Sequence, residues 1–466
     1  MATGGFLQRE RIVAPPGWSR WLVPPAALSI HLAIGQAYAW SVFKSPLEST
    51  LLEGRTNAGL FSSLPFQLGI IMLGLSAALF GTRVDRLGPR WAMAVASACF
   101  VSGFLLSALG VYLGQFWLVV VGYGFVGGIG LGVGYISPVA TLITWFPDRP
   151  GLATGIAIMG FGGGALIASP LTNQLLVAFG GSGTDAEPLG IAQTFLVMGL
   201  IYAVFMSVGW LLIRVPAQDW TPAGWDPSKR RTGALISTSH VSAGKAIRTP
   251  QFWLLWVVLC FNVTAGIGIL EKAAPIYQDY FPDPAAPQAL TAAAAGFVAI
   301  LSLANALGRL GWSSLSDVLG RKNMYRLYLG VGALLYLAVT LTTNANKVVF
   351  LFCAILILSF YGAGFATVPA YLRDLFGTYQ VGAIHGRLLT AWSTAGVLGP
   401  VIVNTIADAQ IEAGVDGPAR YTLAFSIMIG LLIIGFVCNE LIRPVHEKFH
   451  EPLAERATSM PTGAQA

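Results

Sequence analysis

Apolar runs of about 20 residues, the length that crosses a bilayer as a helix, recur along the whole of this 466-residue chain. A window of about 19 residues places them at 22–44, 58–80, 91–112, 116–140, 151–173, 191–213, 252–274, 292–313, 326–343, 348–371, 384–405 and 421–441. Inside a bilayer no water bonds an exposed peptide group, so such runs have to be helical. Charged residues make up only 10% of the chain, against about 25% in soluble domains. The predicted fold class is therefore an all-α membrane protein with twelve transmembrane helices. The first run follows Arg9, Arg11 and Arg20 and is long enough to stay in the membrane, so it reads as a span rather than a cleaved signal.

The net charge of +6 does not mark a nucleic-acid partner, because the cations sit in short loops between apolar runs. With the N-terminus taken as cytoplasmic, 21 of the 27 Lys and Arg fall on the inner side and 5 on the outer, leaving Arg309 within a span. That bias predicts both termini inside and an even number of spans. Cys99, Cys260, Cys353 and Cys438 all lie in apolar stretches without disulfide or metal spacing. The longest polar stretch carries Trp220, Pro222, Trp225 and Pro227, then Lys229, Arg230 and Arg231. It divides the chain into an N-terminal six-helix half (1–214), a cytoplasmic linker loop (215–250), a C-terminal six-helix half (251–445) and a cytoplasmic tail (446–466).

An internal repeat supports two equivalent halves. Gly81-Thr-Arg-Val-Asp85-Arg86-Leu-Gly88-Pro89-Arg90 follows span 2, and Ser314-Leu-Ser-Asp317-Val-Leu-Gly320-Arg321-Lys322 follows span 8. Both show Asp, two residues, Gly, then cations. Parallel repeats about an axis along the membrane normal are a transporter architecture. These loops resemble the signature loop of the major facilitator superfamily. The resemblance implies that Asp85, Arg86 and Arg90, with Asp317, Arg321 and Lys322, gate the carrier by latching helix ends in one conformation. Thr82 and Pro89 depart from the usual pattern, which implies a weaker first latch. Span 1 reads Gly35-Gln-Ala-Tyr38-Ala-Trp-Ser-Val-Phe43 and span 4 reads Gly127-Gly-Ile-Gly-Leu-Gly-Val-Gly-Tyr135-Ile136. Trp145-Phe-Pro-Asp-Arg149 follows, and span 8 holds Asn305-Ala-Leu-Gly-Arg309. In this order the segments resemble the oxalate/formate antiporter family, relatives of the monocarboxylate transporters.

Arg309 lies inside span 8 among Leu301, Leu303, Leu307 and Leu310. A charge at that depth costs about 2.5–3.5 kcal/mol on insertion scales and normally faces a cavity or a partner. No Asp or Glu stands mid-span to pair with it; Glu271 and Asp408 are near the outer side. A guanidinium fits a carboxylate bidentately, and Asn305 lies one turn earlier on the same face. The pair is expected to grip a substrate carboxylate. Snorkelling of Arg309 to the nearby inner boundary is the competing reading. For oxalate carriers the resemblance implies a second buried cation, a Lys in span 11. Span 11 here reads Leu388-Leu-Thr-Ala-Trp392-Ser-Thr-Ala-Gly396, with Arg387 at its start and no Lys. One membrane cation balances one carboxylate, which points to a monocarboxylate of the formate, lactate or pyruvate type; an oxalate/formate exchanger is the alternative.

Tyr38, Gln67, Tyr123, Tyr361 and Trp392 are polar-tipped residues within apolar spans and are further candidates for the substrate site. Such residues also serve as packing or interfacial groups. His31, about ten residues into span 1, is a candidate proton carrier or a neutral packing histidine. The run Gly160-Phe-Gly-Gly-Gly-Ala165 lacks the following Lys-Ser/Thr of a phosphate loop and reads as close helix packing. The expectation is a monomeric secondary transporter in a bacterial inner membrane, with protons or a counter-anion as coupling species. It is expected to need no cofactor or metal and not to be an enzyme. A lipid-modifying enzyme would need a catalytic set that His31, His240, His385, His446 and His450 do not form. A sensor would append a soluble domain.

Overall fold

A computed structural model describes residues 5–182, 186–217, 220–226, 235–237, 239–341 and 346–452. Lys229, Arg230, Arg231 and Arg456, counted above among the inner-side cations, lie outside these residues. Among the described residues the protein is all-helical. Eleven single helices are long and apolar enough to cross a membrane, and one bent pair makes the twelfth span. The pair, α1, is Arg20–Ala39 with Ser41–Ser49. The others are α2 (Ala58–Leu87), α3 (Pro89–Tyr112), α4 (Phe116–Trp145), α5 (Pro150–Ala178), α6 (Pro188–Leu212), α7 (Pro250–Leu270), α8 (Gln288–Leu319), α9 (Arg321–Leu341), α10 (Lys347–Phe376), α11 (Val381–Glu412) and α12 (Gly417–Leu441).

The helices overrun the apolar windows. α8 has 32 residues, about 48 Å at 1.5 Å per residue against a hydrocarbon core of about 30 Å. Hydropathy registers only the part that meets lipid; backbone punctuation sets the true ends. Gly88 and Gly320 adopt φ of +94° and +88°, conformations that glycine takes without a Cβ penalty, and each separates two spans. α1 departs from the unbroken span expected at 22–44. It narrows to a 3-10 turn over Gly35–Ala39 and bends by 44° before Ser41. A Cβ on Gly35 would stand 2.3 Å from the Phe161 carbonyl oxygen, so α5 presses directly on the turn. The Trp40 indole N–H holds the bend by donating to the Ser62 carbonyl at 2.8 Å.

α1–α6 pack mainly among themselves, through α3 on α6, α2 on α4 and α1 on α5, and α7–α12 do the same through α8 on α10 and α7 on α11 and α12. The groups meet chiefly where α2 packs on α11 and α5 on α8 and α10, with smaller contacts of α4 with α11 and α10. Lipid-facing positions such as Leu79, Val204, Leu334 and Val348 stand exposed, while polar residues such as Arg309, Asn305, His31 and His385 are buried. This inverts a soluble surface, as a bilayer solvent requires. Helices driven together without a hydrophobic effect rely on close van der Waals approach at small residues. Gly164 supplies one such contact, since a Cβ there would lie 2.6 Å from both Gly35 Cα and the Leu32 carbonyl oxygen. Backbone on both sides leaves no room to yield. Gly164→Leu should separate α1 from α5, at a cost above the ~1–3 kcal/mol of ordinary overpacking; a large fall in detergent melting temperature is the expected readout.

Candidate functional site

One end of the bundle gathers the start of α1 and the ends of α6 and α12. There the two repeat loops close the seam between helix groups in equivalent ways. The Asp317 carboxylate, at the end of α8, accepts from the main-chain N–H groups of Gly151 (2.8 Å) and Leu152 (2.9 Å) at the start of α5. The Asp85 carboxylate, at the end of α2, accepts from the Ala383 N–H at the start of α11 at 2.9 Å. Each carboxylate thus satisfies orphan donors at a helix N-terminus and faces the positive end of its dipole. Each approach needs a glycine: a Cβ on Gly151 would lie 2.9 Å from Asp317 Oδ1, and one on Gly382 would lie 2.3 Å from Asp85 Oδ1.

The two closures differ in their cations. Arg321 bonds Asp317 at 2.6 Å and Asp374 of α10 at 3.2 Å. The position equivalent to Arg321 in the first loop is Pro89, so Asp85 has no such brace. Arg86 is exposed. Arg90 and Lys322, equivalent by position, turn to their own helix groups. Arg90 donates to the carbonyls of Trp210 (3.1 Å) and Leu211 (3.0 Å) at the end of α6. Lys322 donates to those of Glu440 (2.8 Å) and Ile442 (3.1 Å) at the end of α12. Both place a cation at a helix C-terminus, where the dipole favours it.

Deeper in the seam lies Arg309, with 0% of its surface exposed. It does not snorkel. Its Nε donates to Asn305 Oδ1 at 3.1 Å and its Nη1 to the Ile158 carbonyl of α5 at 3.3 Å. Nη2 is buried without a hydrogen-bond partner among the described residues, and no carboxylate pairs with the guanidinium there. The rings of Phe161 and Phe365 lie 5.9 and 5.5 Å from its central carbon, within cation–π range. Glycines make the space: a Cβ on Gly162 would stand 2.7 Å from Arg309 Nε, and one on Gly362 would stand 2.6 Å from Asn305 Oδ1. The glycine-rich run of α5 is therefore the wall against which the arginine lies.

Aromatic residues from both helix groups surround this centre. Trp392 of α11 packs on Phe365 (4.8 Å), Phe161 (5.4 Å) and Tyr135 (5.9 Å). The hydroxyls of Tyr38 and Tyr361 meet across the seam at 3.1 Å. Tyr123 instead points into its own helix group, donating to Gln36 Oε1 at 3.0 Å beside Trp40. Gln67 is half-buried on α2 and makes no side-chain hydrogen bond among the described residues. The ring nitrogens of His31 lie 2.5 Å from the Ala157 carbonyl oxygen and 3.1 Å from that of Tyr135, which ties α1 to α5 and α4. Among the described residues no group of His, Cys, Asp or Glu has the arrangement of a metal site.

A sequence profile of the Major Facilitator Superfamily matches residues 26–400 and again 282–462. The chain belongs to the major facilitator superfamily. It is 26% identical over 383 residues to the uncharacterized MFS-type transporter YhjX of Escherichia coli K12, covering 81% of this chain and 86% of that one. It is 25% identical over 432 residues to the oxalate:formate antiporter of Oxalobacter formigenes, covering 92% and 93%. The apicoplast pyruvate carrier 1 of Toxoplasma gondii is 24% identical over 382 residues, covering 73% and 68%. The fucose:proton symporter FucP of Escherichia coli shares the fold, with a TM-score of 0.63 at 14% identity over 90% of this chain and 97% of that one. The chain is thus a multi-pass transporter of small substrates.

Four residues of this major facilitator site were not singled out by sequence: Tyr135, Phe161, Phe365 and His385. Tyr135 stands in the glycine-rich stretch of span 4 that carries the family resemblance, and that stretch was its one available signal. Phe161 and Phe365 are ordinary apolar residues until the fold sets them over a guanidinium. The cap contacts at the seam yield a test. Replacing an N-cap acceptor costs about 1–2 kcal/mol, enough to shift a two-state equilibrium about 5- to 30-fold. Asp317→Asn should therefore open the seam more than Asp85→Asn, whose carboxylate lacks the Arg321 and Asp374 network. Spin labels at Arg149→Cys and Asn323→Cys in a cysteine-free background should show a longer distance population in Asp317→Asn.

Proposed function

We propose that this transporter carries a small organic anion, a monocarboxylate of the formate, lactate or pyruvate type, by alternating access around Arg309. The carrying observation is a guanidinium buried between α5, α8 and α10 that has, among the described residues, one nitrogen unpartnered and no carboxylate to balance it. A buried charge left in that condition is costly, and a substrate carboxylate supplies both the charge and the missing acceptor. Arg309 and Asn305 bind it; Trp392, Tyr38 and Tyr361 enclose it. The relatives' printed names, an oxalate:formate antiporter and a pyruvate carrier, agree with an anion of this size. The first of them also keeps oxalate/formate exchange as the second reading. Asp85 and Asp317 are the gate, with Arg321 bracing the second; Arg86, Arg90 and Lys322 support the helix ends around them.

In this reading 1–214 and 251–445 are two halves that rock about the site, joined by the linker 215–250 and followed by the tail 446–466. The excess of cations on the terminus-bearing face sets that face in the cytoplasm, so the closed seam is the inner gate. The chain works as a monomer in a bacterial inner membrane, and protons, through His31, or a counter-anion drive net movement. The central test is uptake of labelled formate, lactate, pyruvate and oxalate into proteoliposomes, with and without a pH gradient or internal anion. Monocarboxylate uptake should fall to background in Arg309→Ala and stay low in Arg309→Lys, which keeps the charge but not the planar fork. Normal transport by Arg309→Ala sinks the reading, and oxalate as the best substrate sinks the monocarboxylate form of it.

A further inference from the structure

Arg309 Nη2 is not the only unpartnered polar atom at this site. Tyr135 Oη, Trp392 Nε1 and His385 Nε2 are also buried with no hydrogen-bond partner among the described residues. The three belong together. His385 and Trp392 are seven residues apart on α11, two helical turns, and so share a face. The Tyr135 ring lies against both, 5.8 Å from His385 and 5.9 Å from Trp392. Several other polar side chains nearby are already engaged. Tyr38 and Tyr361 hold each other, Asn305 holds Arg309, and His31 faces two main-chain carbonyls.

A carboxylate on Arg309 Nη2, with the Trp392 N–H to its second oxygen, leaves Tyr135 and His385 without partners. Buried polar groups in native proteins find partners as a rule. We propose that Tyr135 and His385 bind a further oxygen of the substrate. The carrier would then prefer small carboxylates bearing a 2-oxo or 2-hydroxy group over plain alkanoates of the same length. This inference rests on the anion reading of Arg309 and deepens it. A second carboxyl group supplies the oxygen too, but brings a charge for which this cage holds no second arginine or lysine among the described residues. Phe161 and Phe365 offer no acceptors and confine the substrate to a short body. A site built to hydrogen-bond an oxygen rejects the analogue that lacks it.

Matched pairs test this directly: glycolate against acetate, and lactate and pyruvate against propionate, competed for uptake by the full-length protein in liposomes. The wild type should favour the oxygen-bearing member at least about tenfold. Tyr135→Phe keeps the ring that packs on His31 and Trp392, and His385→Leu removes the imidazole. Both should lose most of the preference, and unchanged size-exclusion profiles and melting temperatures in detergent show that they are folded. His385→Gln, with its amide near the Nε2 position, should restore part of it. Equal handling of each pair by the wild type overturns the proposal while leaving the carboxylate reading intact. Equal weakening of both members of a pair in the variants overturns it as well, since a packing role would do the same. If no acid competes at all, the anion reading falls and takes this one with it.

Discussion

The molecule is organised around one guanidinium that lipid would not tolerate. A full charge at membrane depth is held only where protein surrounds it, and Arg309 is held without a counter-charge among the described residues. The fold manages this with two ordinary hydrogen bonds, two aromatic faces and two glycines that let helices of both groups approach. Each of these is weak by the standard of an ion pair. One guanidinium nitrogen is left without an acceptor among the described residues, so under the proposed function the last increment of stabilisation comes from the substrate, whose binding can bias the equilibrium between states.

The closure at the terminus face follows the same economy. Asp317 and Asp85 do not seek cations across the seam; they meet the N–H groups that any helix start leaves open. Such a contact involves one charge and a partial dipole, worth about 0.5–2 kcal/mol. Arg373, which donates to the Pro147 carbonyl at 3.2 Å, adds a contact of the same kind. Interfaces made of contacts this small can be opened by a differential affinity of a few kcal/mol.

Much of the fold was legible because lipid imposes a simple rule. Length and hydropathy alone place all twelve spans, and the repeat loops anticipate that α2 and α8 end alike. Arg309 and Asn305 were legible for a related reason: a charge inside an apolar run is anomalous on its face, and spacing by four is helical. What escaped was whatever depends on three-dimensional company. The bend of α1 is caused by α5 pressing on Gly35, a contact across about 130 residues of chain that no local propensity encodes. Tyr123 and Tyr135 look alike in sequence, twelve residues apart on one helix. Yet Tyr123 lies in a π-helical stretch, Val120–Gly127, and points into its own helix group, while Tyr135 points into the seam. Twelve residues at 3.6 per turn set the two tyrosines roughly 120° apart around an ideal helix, and only the contacts made by other helices decide which of them lines the seam.

The repeat carries a further consequence once its positions are aligned through the structure. Arg90 and Lys322 each fasten the start of the third helix of their group to the end of the sixth, by main-chain carbonyls alone. These bonds lie within a group and do not cross the seam. The aspartates five residues earlier reach across the seam, Asp85 to α11 and Asp317 to α5. One short loop therefore separates two duties: its cation keeps a six-helix group rigid and its carboxylate joins that group to the other. The second loop adds Arg321, which bonds Asp317 and Asp374 and so ties α8 to α10 while steadying the cap on α5. Proline at the equivalent position of the first loop forfeits that support. The two-fold likeness of the groups thus ends at Pro89, and the α2–α11 side of the seam is the one with less to hold it shut.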